Sequence, residues 1–80
     1  MTDLRTAILE SLQDVAPEAD LASLDENDDI RDELDLDSMD ILNLALGIHK
    51  RTGIDVPERH YSRLSTVKKA MEYLETRLPV

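Results

Sequence analysis

Glu33-Leu34-Asp35-Leu36-Asp37-Ser38-Met39-Asp40 joins two unlike parts of this 80-residue chain. Before it lies a long acidic stretch with no clean period. After it Met39, Ile41, Leu42, Leu44, Ala45, Leu46 and Ile48 follow in quick succession. Their spacing predicts a helix over about residues 38–51. The apolar stripe is wider than one packing face needs, so this helix is expected to be central and to touch neighbours on two sides. Ser38 therefore falls at a helix start, and two readings of it stay open. It can be a plain N-cap, a position that Ser and Asp favour. Alternatively Asp37 supplies the cap by itself. The Ser38 hydroxyl is then held out at a helix tip, where free backbone N–H groups and the helix dipole favour an anion, which is a good place to attach a phosphate.

Working outward, Leu4, Ile8, Leu12 and Val15, with Ala7 and Ala16 beside them, predict a first helix capped by Thr2 or Asp3 and stopped by Pro17. The connection over roughly residues 17–37 is rich in Asp, Glu and Asn. A structureless loop of that length is unusual inside a compact domain, and Leu21, Leu24, Ile30, Leu34 and Leu36 are its expected anchors on the core. Gly53 follows Lys50-Arg51-Thr52, suits a left-handed helix end, and lets Ile54 fold back on the last turn. Pro57 fits the start of a brief helical turn, with Val56, Tyr61 and Leu64 pointing inward. Ser65 or Thr66 then caps a last helix, whose face is Val67, Ala70, Met71, Leu74 and Leu78 and which ends at Pro79. Burial of Val67, Met71, Leu74 and Leu78 would contribute roughly 1.5–3 kcal/mol each before entropy is subtracted. The expected fold is all-α: a small four-helix bundle of three main helices and one short one, with a long first loop. Residues 1–80 read as one domain.

Charge is uneven. The net charge is -9, and residues 1–40 hold 14 of the 18 acidic groups against Arg5 and Arg31 alone. The second half has a small positive balance. An acidic surface repels nucleic acid and anionic membranes, so neither is an expected partner. There is no cysteine, which removes disulfides and thiolate metal sites. No apolar stretch approaches the ~20 residues needed to span a bilayer, and no basic segment with an apolar signal core opens the chain, so membrane insertion is not expected and the cytoplasm is.

The pattern around Ser38 resembles the attachment site of acyl carrier proteins. The resemblance runs over nearly the whole chain: the opening helix, the long acidic loop, Asp37-Ser38-Met39, the apolar helix after it, Gly53-Ile54-Asp55-Val56-Pro57, and Leu64-Ser65-Thr66-Val67. It implies a carrier that is not itself an enzyme, a monomer. It implies that Ser38 receives 4'-phosphopantetheine from coenzyme A through a separate phosphopantetheinyl transferase, with Asp37 and Met39 flanking it. The thiol at the end of the arm then carries an acyl group for acyl-transfer, synthase or acyl-ligase enzymes. Asp35, Asp40 and Asn43 are the implied recognition residues. Met39, Leu42, Leu46, Ile54, Val56, Tyr61, Leu64, Val67 and Met71 are candidate walls for the acyl chain, each of which can equally be ordinary core.

Two departures from the common fatty-acid pattern stand out. The family often has glycine two or three residues before the serine, where this chain has Asp35 and Leu36. The exposed side of the second helix is usually acidic, but here it reads Asp40, Asn43, Gly47, His49, Lys50 and Arg51, which suggests a specialised carrier serving a dedicated pathway. Basic residues in a last turn also suit the helix dipole.

Other readings fit less well. Asp25, Asn27 and Asp29 look like the first ligands of an EF-hand loop, the mark of an acidic helical interaction module that binds divalent cations. Ile30 stands where glycine is needed and Leu36 where the bidentate glutamate belongs, so no metal ligands are assigned. An enzyme built on Ser38 and His49 would place them roughly 16 Å apart along one helix at ~1.5 Å per residue, far beyond hydrogen-bond reach. Neither His49 nor His60 is expected to do more than face solvent or cap a helix. A non-ribosomal peptide carrier usually has glycine before its serine, and Asp37 argues against it.

Overall fold

The computed structural model describes residues 3–77; the expected roles of Thr2, Leu78 and Pro79 lie outside them. Four α-helices are present: α1 (Leu4–Val15), a single turn α2 (Ile30–Glu33), α3 (Ser38–Thr52) and α4 (Val67–Glu75). Two 3₁₀ segments, Leu21–Ser23 and Glu58–Leu64, complete the helical structure, and the described residues form no strand. The long connection is thus not one irregular loop. Asp20 caps the first 3₁₀ turn, and Asp29 caps α2 by accepting from the N–H groups of Arg31 and Asp32. Acidic side chains that carry no apolar period still fold locally, because a carboxylate satisfies the free N–H groups of a turn.

The expected caps are found. Asp3 caps α1, Thr66 caps α4, and Gly53 ends α3 in the left-handed conformation at φ 78°. Thr52 adds a second closure, its hydroxyl donating to the Ile48 carbonyl and accepting from the Ile54 N–H. The short fourth helix is the 3₁₀ segment that follows Pro57.

Packing follows from these elements. Leu4, Ile8 and Leu12 of α1 meet Ile41, Leu44 and Ile48 of α3 in one core, closed by Ile54, Val56, Leu64, Val67 and Leu74. α3 touches α1 on one side and the Glu58–Leu64 segment on another, as its wide stripe predicts. Of the five loop anchors, Ile30 and Leu36 are buried, while Leu21, Leu24 and Leu34 pack half-buried against the core. Two backbone hydrogen bonds pin this connection across the bundle: Ile30 N–H to the Ser65 carbonyl at 2.9 Å, and Lys68 N–H to the Glu26 carbonyl at 3.0 Å.

Four placements differ from expectation. Gly47 and Arg51 do not belong to the exposed side of α3. Gly47 faces α1, where a Cβ would lie 3.1 Å from Ser11 Cβ. Arg51 folds across the same contact to reach Asp14 at 2.7 Å. Neither Ser11 nor Tyr73 was expected in the interior. Ser11 is buried because its hydroxyl is satisfied by the Ala7 carbonyl, and Tyr73 because its hydroxyl meets His60.

Candidate functional site

α3 begins at Ser38 because Asp37 and Asp40 close a reciprocal capping box. Asp37 Oδ1 accepts from the Asp40 N–H at 3.0 Å, and Asp40 Oδ2 accepts from the Asp37 N–H at 3.1 Å. Here Asp40 fills the role that Glu or Gln usually plays. The cap is therefore complete without Ser38. Among the described residues the exposed Ser38 hydroxyl makes no hydrogen bond, and the Ser38 and Met39 N–H groups have no partner. A free hydroxyl beside unpaired first-turn donors is the arrangement a phosphate ester needs.

The turn that delivers Ser38 explains the missing glycine. Asp35 has φ 52°, the one non-glycine residue with positive φ among those described. It stands just past α2, and the Leu36 N–H closes back to the Arg31 carbonyl at 3.0 Å. This is a Schellman-type helix end, whose left-handed position glycine fills most easily and Asp tolerates.

Ser38 opens on a groove of about 400 Å³ lined by Arg31, Ser38, Met39, Ile41, Leu42, Glu58 and Tyr61. Of the candidate acyl-chain residues, the groove thus gathers Met39, Leu42 and Tyr61. Ile54, Val56, Leu64 and Val67 are buried in the packed core and do not border it; Met71 is half-buried against that core. Leu46 is 56% exposed on the outer side of α3, two turns beyond Met39 at 63%, and does not border this groove. It sits on the edge of the wide stripe opposite the buried residues Leu44 and Ile48.

Of the recognition candidates, Asp40 and Asn43 are three residues apart on α3 and Asp35 lies in the turn before it. Asp35 and Asp40 border a second groove, about 680 Å³, against the end of α1 and the acidic connection, with Leu34 and Leu36 in its wall. Asn43 is exposed on α3. Arg31, Ile41 and Glu58 were not foreseen at the site. Arg31 alone had a signal, as one of two bases in a strongly acidic half.

The carboxylates of the EF-hand reading serve the backbone. Asp25 Oδ1 accepts from the Asn27 N–H at 2.8 Å, Asp28 Oδ2 from the Asp25 N–H at 3.1 Å, and Asp29 caps α2. Among the described residues no group of three or more His, Cys, Asp or Glu converges on a common point. His60 is likewise no idle surface group. Its Nδ1 lies 2.7 Å from the Tyr73 hydroxyl and 3.0 Å from Arg77 Nη2, and the Arg77 guanidinium stacks 4.9 Å from the Tyr73 ring centre. Arg77 can only donate, so Nδ1 is the acceptor and the imidazole is neutral. Partial burial, then the charges of Arg59, Arg77 and Arg63, hold its pKa below the ordinary value.

Comparison with known proteins identifies the family. Residues 6–74 match the family model described as the phosphopantetheine attachment site. The chain belongs to that family of acyl carrier proteins, and its prosthetic group is covalently bound 4'-phosphopantetheine. Among similar proteins, the acyl carrier protein of Rubrobacter xylanophilus is 27% identical over 75 residues, covering 88% of this chain and 90% of that one. The acyl carrier protein of Campylobacter hominis is 29% identical over 73 residues, covering 91% and 86%. That of Zymomonas mobilis is 32% identical over 50 residues, covering 62% and 64%. No solved structure gives a significant match. Proteins of this class are carriers, not catalysts, and work with synthases and transferases. No described helix is long and apolar enough to cross a membrane.

Proposed function

We propose that Ser38 is the residue that bears the 4'-phosphopantetheine arm, and that residues 1–80 act as one monomeric carrier domain in the cytoplasm. The observation that carries this reading is the completed capping box. Asp37 and Asp40 meet each other's backbone needs and leave the Ser38 hydroxyl exposed and without a structural task. When bound, the arm supplies a thiol that holds an acyl group as a thioester. The chain's own part is to present the hydroxyl, to offer the Ser38 and Met39 N–H groups to the phosphodiester, and to flank the arm with the Leu42, Tyr61 and Met39 side chains. Asp35, Asp37 and Asp40 around Ser38 give a transferase with a basic entrance a complementary surface.

The pathway is proposed to be a dedicated one, a fatty-acid-like, polyketide or other specialised acyl-transfer biosynthesis. Past Asp40, the outer side of α3 carries Asn43, Leu46, His49 and Lys50 and no further carboxylate. A partner that reads a row of acids along this helix finds little to hold.

The direct test is incubation with coenzyme A, magnesium and a broad-specificity phosphopantetheinyl transferase, followed by intact mass and peptide mapping. The arm's mass should appear on Ser38 and be absent from a folded Ser38→Ala chain. An unlabelled Ser38 beside a labelled control carrier would overturn the assignment. Acyl exchange with general fatty-acid synthesis enzymes at the rates of their own carrier would overturn the dedicated pathway.

A further inference from the structure

Arg31 is out of place in charge. Residues 1–40 contain two bases, and the other one, Arg5, is paired with Glu26 at 3.3 Å. Among the described residues the Arg31 side chain is in no ion pair and no hydrogen bond, although Asp32, Glu33 and Asp35 are its near neighbours in sequence. Instead it lines the groove onto which Ser38 opens. Glu58, which shares that groove, is not within ion-pair distance. α2 holds Arg31 in place: Asp29 accepts from its N–H at 2.9 Å, the Leu36 N–H closes on its carbonyl, and Ile30 beside it is buried and pinned to Ser65.

A phosphodiester on Ser38 would be a monoanion set among Asp35, Asp37 and Asp40. The first-turn N–H groups offset that repulsion in part. A guanidinium in the same groove offsets it further and matches a phosphate in fork geometry. We infer that Arg31 is a positioning residue for the arm: its guanidinium pairs with the phosphodiester and turns the arm toward the Ile41, Leu42 and Tyr61 side of the groove. This rests on the Ser38 assignment and adds to it the chain's own counter-ion.

The test uses the full chain loaded from coenzyme A by a broad-specificity transferase. Loading should move the Arg31 Nε–H resonance in proton–nitrogen spectra and leave those of Arg59 and Arg63 in place. The phosphorus resonance of the loaded chain should differ from that of a short 4'-phosphopantetheinylated peptide spanning Ser38. Arg31→Gln should remove most of that difference, and Arg31→Lys, a single-point cation, should keep part of it. Salt at about 1 M, where the screening length is ~3 Å, should abolish it in the wild-type chain. If Arg31→Gln does not fold by circular dichroism, Arg31→Lys and the salt series still decide. A labelled chain whose phosphorus resonance and Arg31 signal are unmoved by substitution, loading or salt overturns the pairing and leaves Ser38 as the attachment site. An Arg31→Gln effect on loading rate alone also overturns it, since Arg31 would then touch the transferase. A chain that takes no arm on Ser38 overturns both.

Discussion

Gly47 of α3 lies so close to Ser11 of α1 that a Cβ on the glycine would be 3.1 Å from both the Cβ and the hydroxyl of the serine. Both atoms near the contact are fixed to helical backbone or bonded in place, since Ser11 Oγ donates to the Ala7 carbonyl at 2.7 Å. The contact cannot relax by a rotamer change. Gly47→Ala gains roughly 1 kcal/mol of helix propensity, but overpacking costs about 1–3 kcal/mol, and the rigid neighbour lets the second effect win. We expect a net loss of stability in urea unfolding. Ser11→Gly in the same chain should recover part of it, as a favourable coupling in a double-mutant cycle. A Gly47→Ala chain more stable than the parent would contradict this.

Removing the cap and removing the serine should have opposite readouts. Asp37→Ala loses the acceptor for the Asp40 N–H and should cost about 1 kcal/mol, within the usual ~0.5–2 range for a cap. Ser38→Ala should stay within about 0.5 kcal/mol of the parent, since its hydroxyl bonds to nothing described. Thermal and urea unfolding of the two variants separate the cases, and a larger loss from Ser38→Ala would make it a structural serine.

Asp35 offers a test of backbone strain. At φ 52° a β-branched side chain is disfavoured by roughly 1–2 kcal/mol, so Asp35→Val should destabilise by about that much. Asp35→Gly should leave stability unchanged or slightly raised, because glycine adopts this region freely. Unfolding midpoints for the three chains should fall in the order Gly, Asp, Val.

Acid should weaken the joint between the Glu58–Leu64 segment and α4. Partial burial and the charges of Arg59, Arg77 and Arg63 hold the folded His60 pKa below 6.5, while the unfolded residue titrates near its ordinary value. The unfolded chain then binds more protons in this window. The stabilisation is fully present above pH 6.5 and is lost as pH falls through the folded value. His60→Gln keeps an acceptor for Tyr73 and Arg77 but does not titrate. Its stability should be flatter than the parent's between about pH 7 and 5, the range in which histidine changes charge. Parallel curves would show that His60 does not titrate with unfolding.

The parts of this fold that were legible in the sequence are those with a period or a punctuating residue. α1, α3 and α4 follow from apolar spacing, and their ends from Asp3, Gly53 and Thr66. The connection between α1 and α3 was legible in its anchors and not in its turns, because Asp20 and Asp29 act by local side-chain capping that leaves no periodic trace. Gly47 and Ser11 were opaque for another reason. A small residue says that something comes close, but not which helix brings it. Tyr73 was missed because its burial depends on His60, thirteen residues earlier, to satisfy its hydroxyl. At the site, Ser38 and its capping neighbours could be read locally, while the groove that joins Arg31, Leu42 and Tyr61 is assembled by three separate segments.

The two backbone bonds from Ile30 to Ser65 and from Lys68 to Glu26 divide the long first connection into two short spans fastened at their middle to the start of α4. Ring-closure entropy favours two short tethers over one slack one at the moment a surface must be ordered. Any protein that docks beside Ser38 would therefore meet an already built shoulder, and a blow to the α4 start would be felt at the far end of the strap.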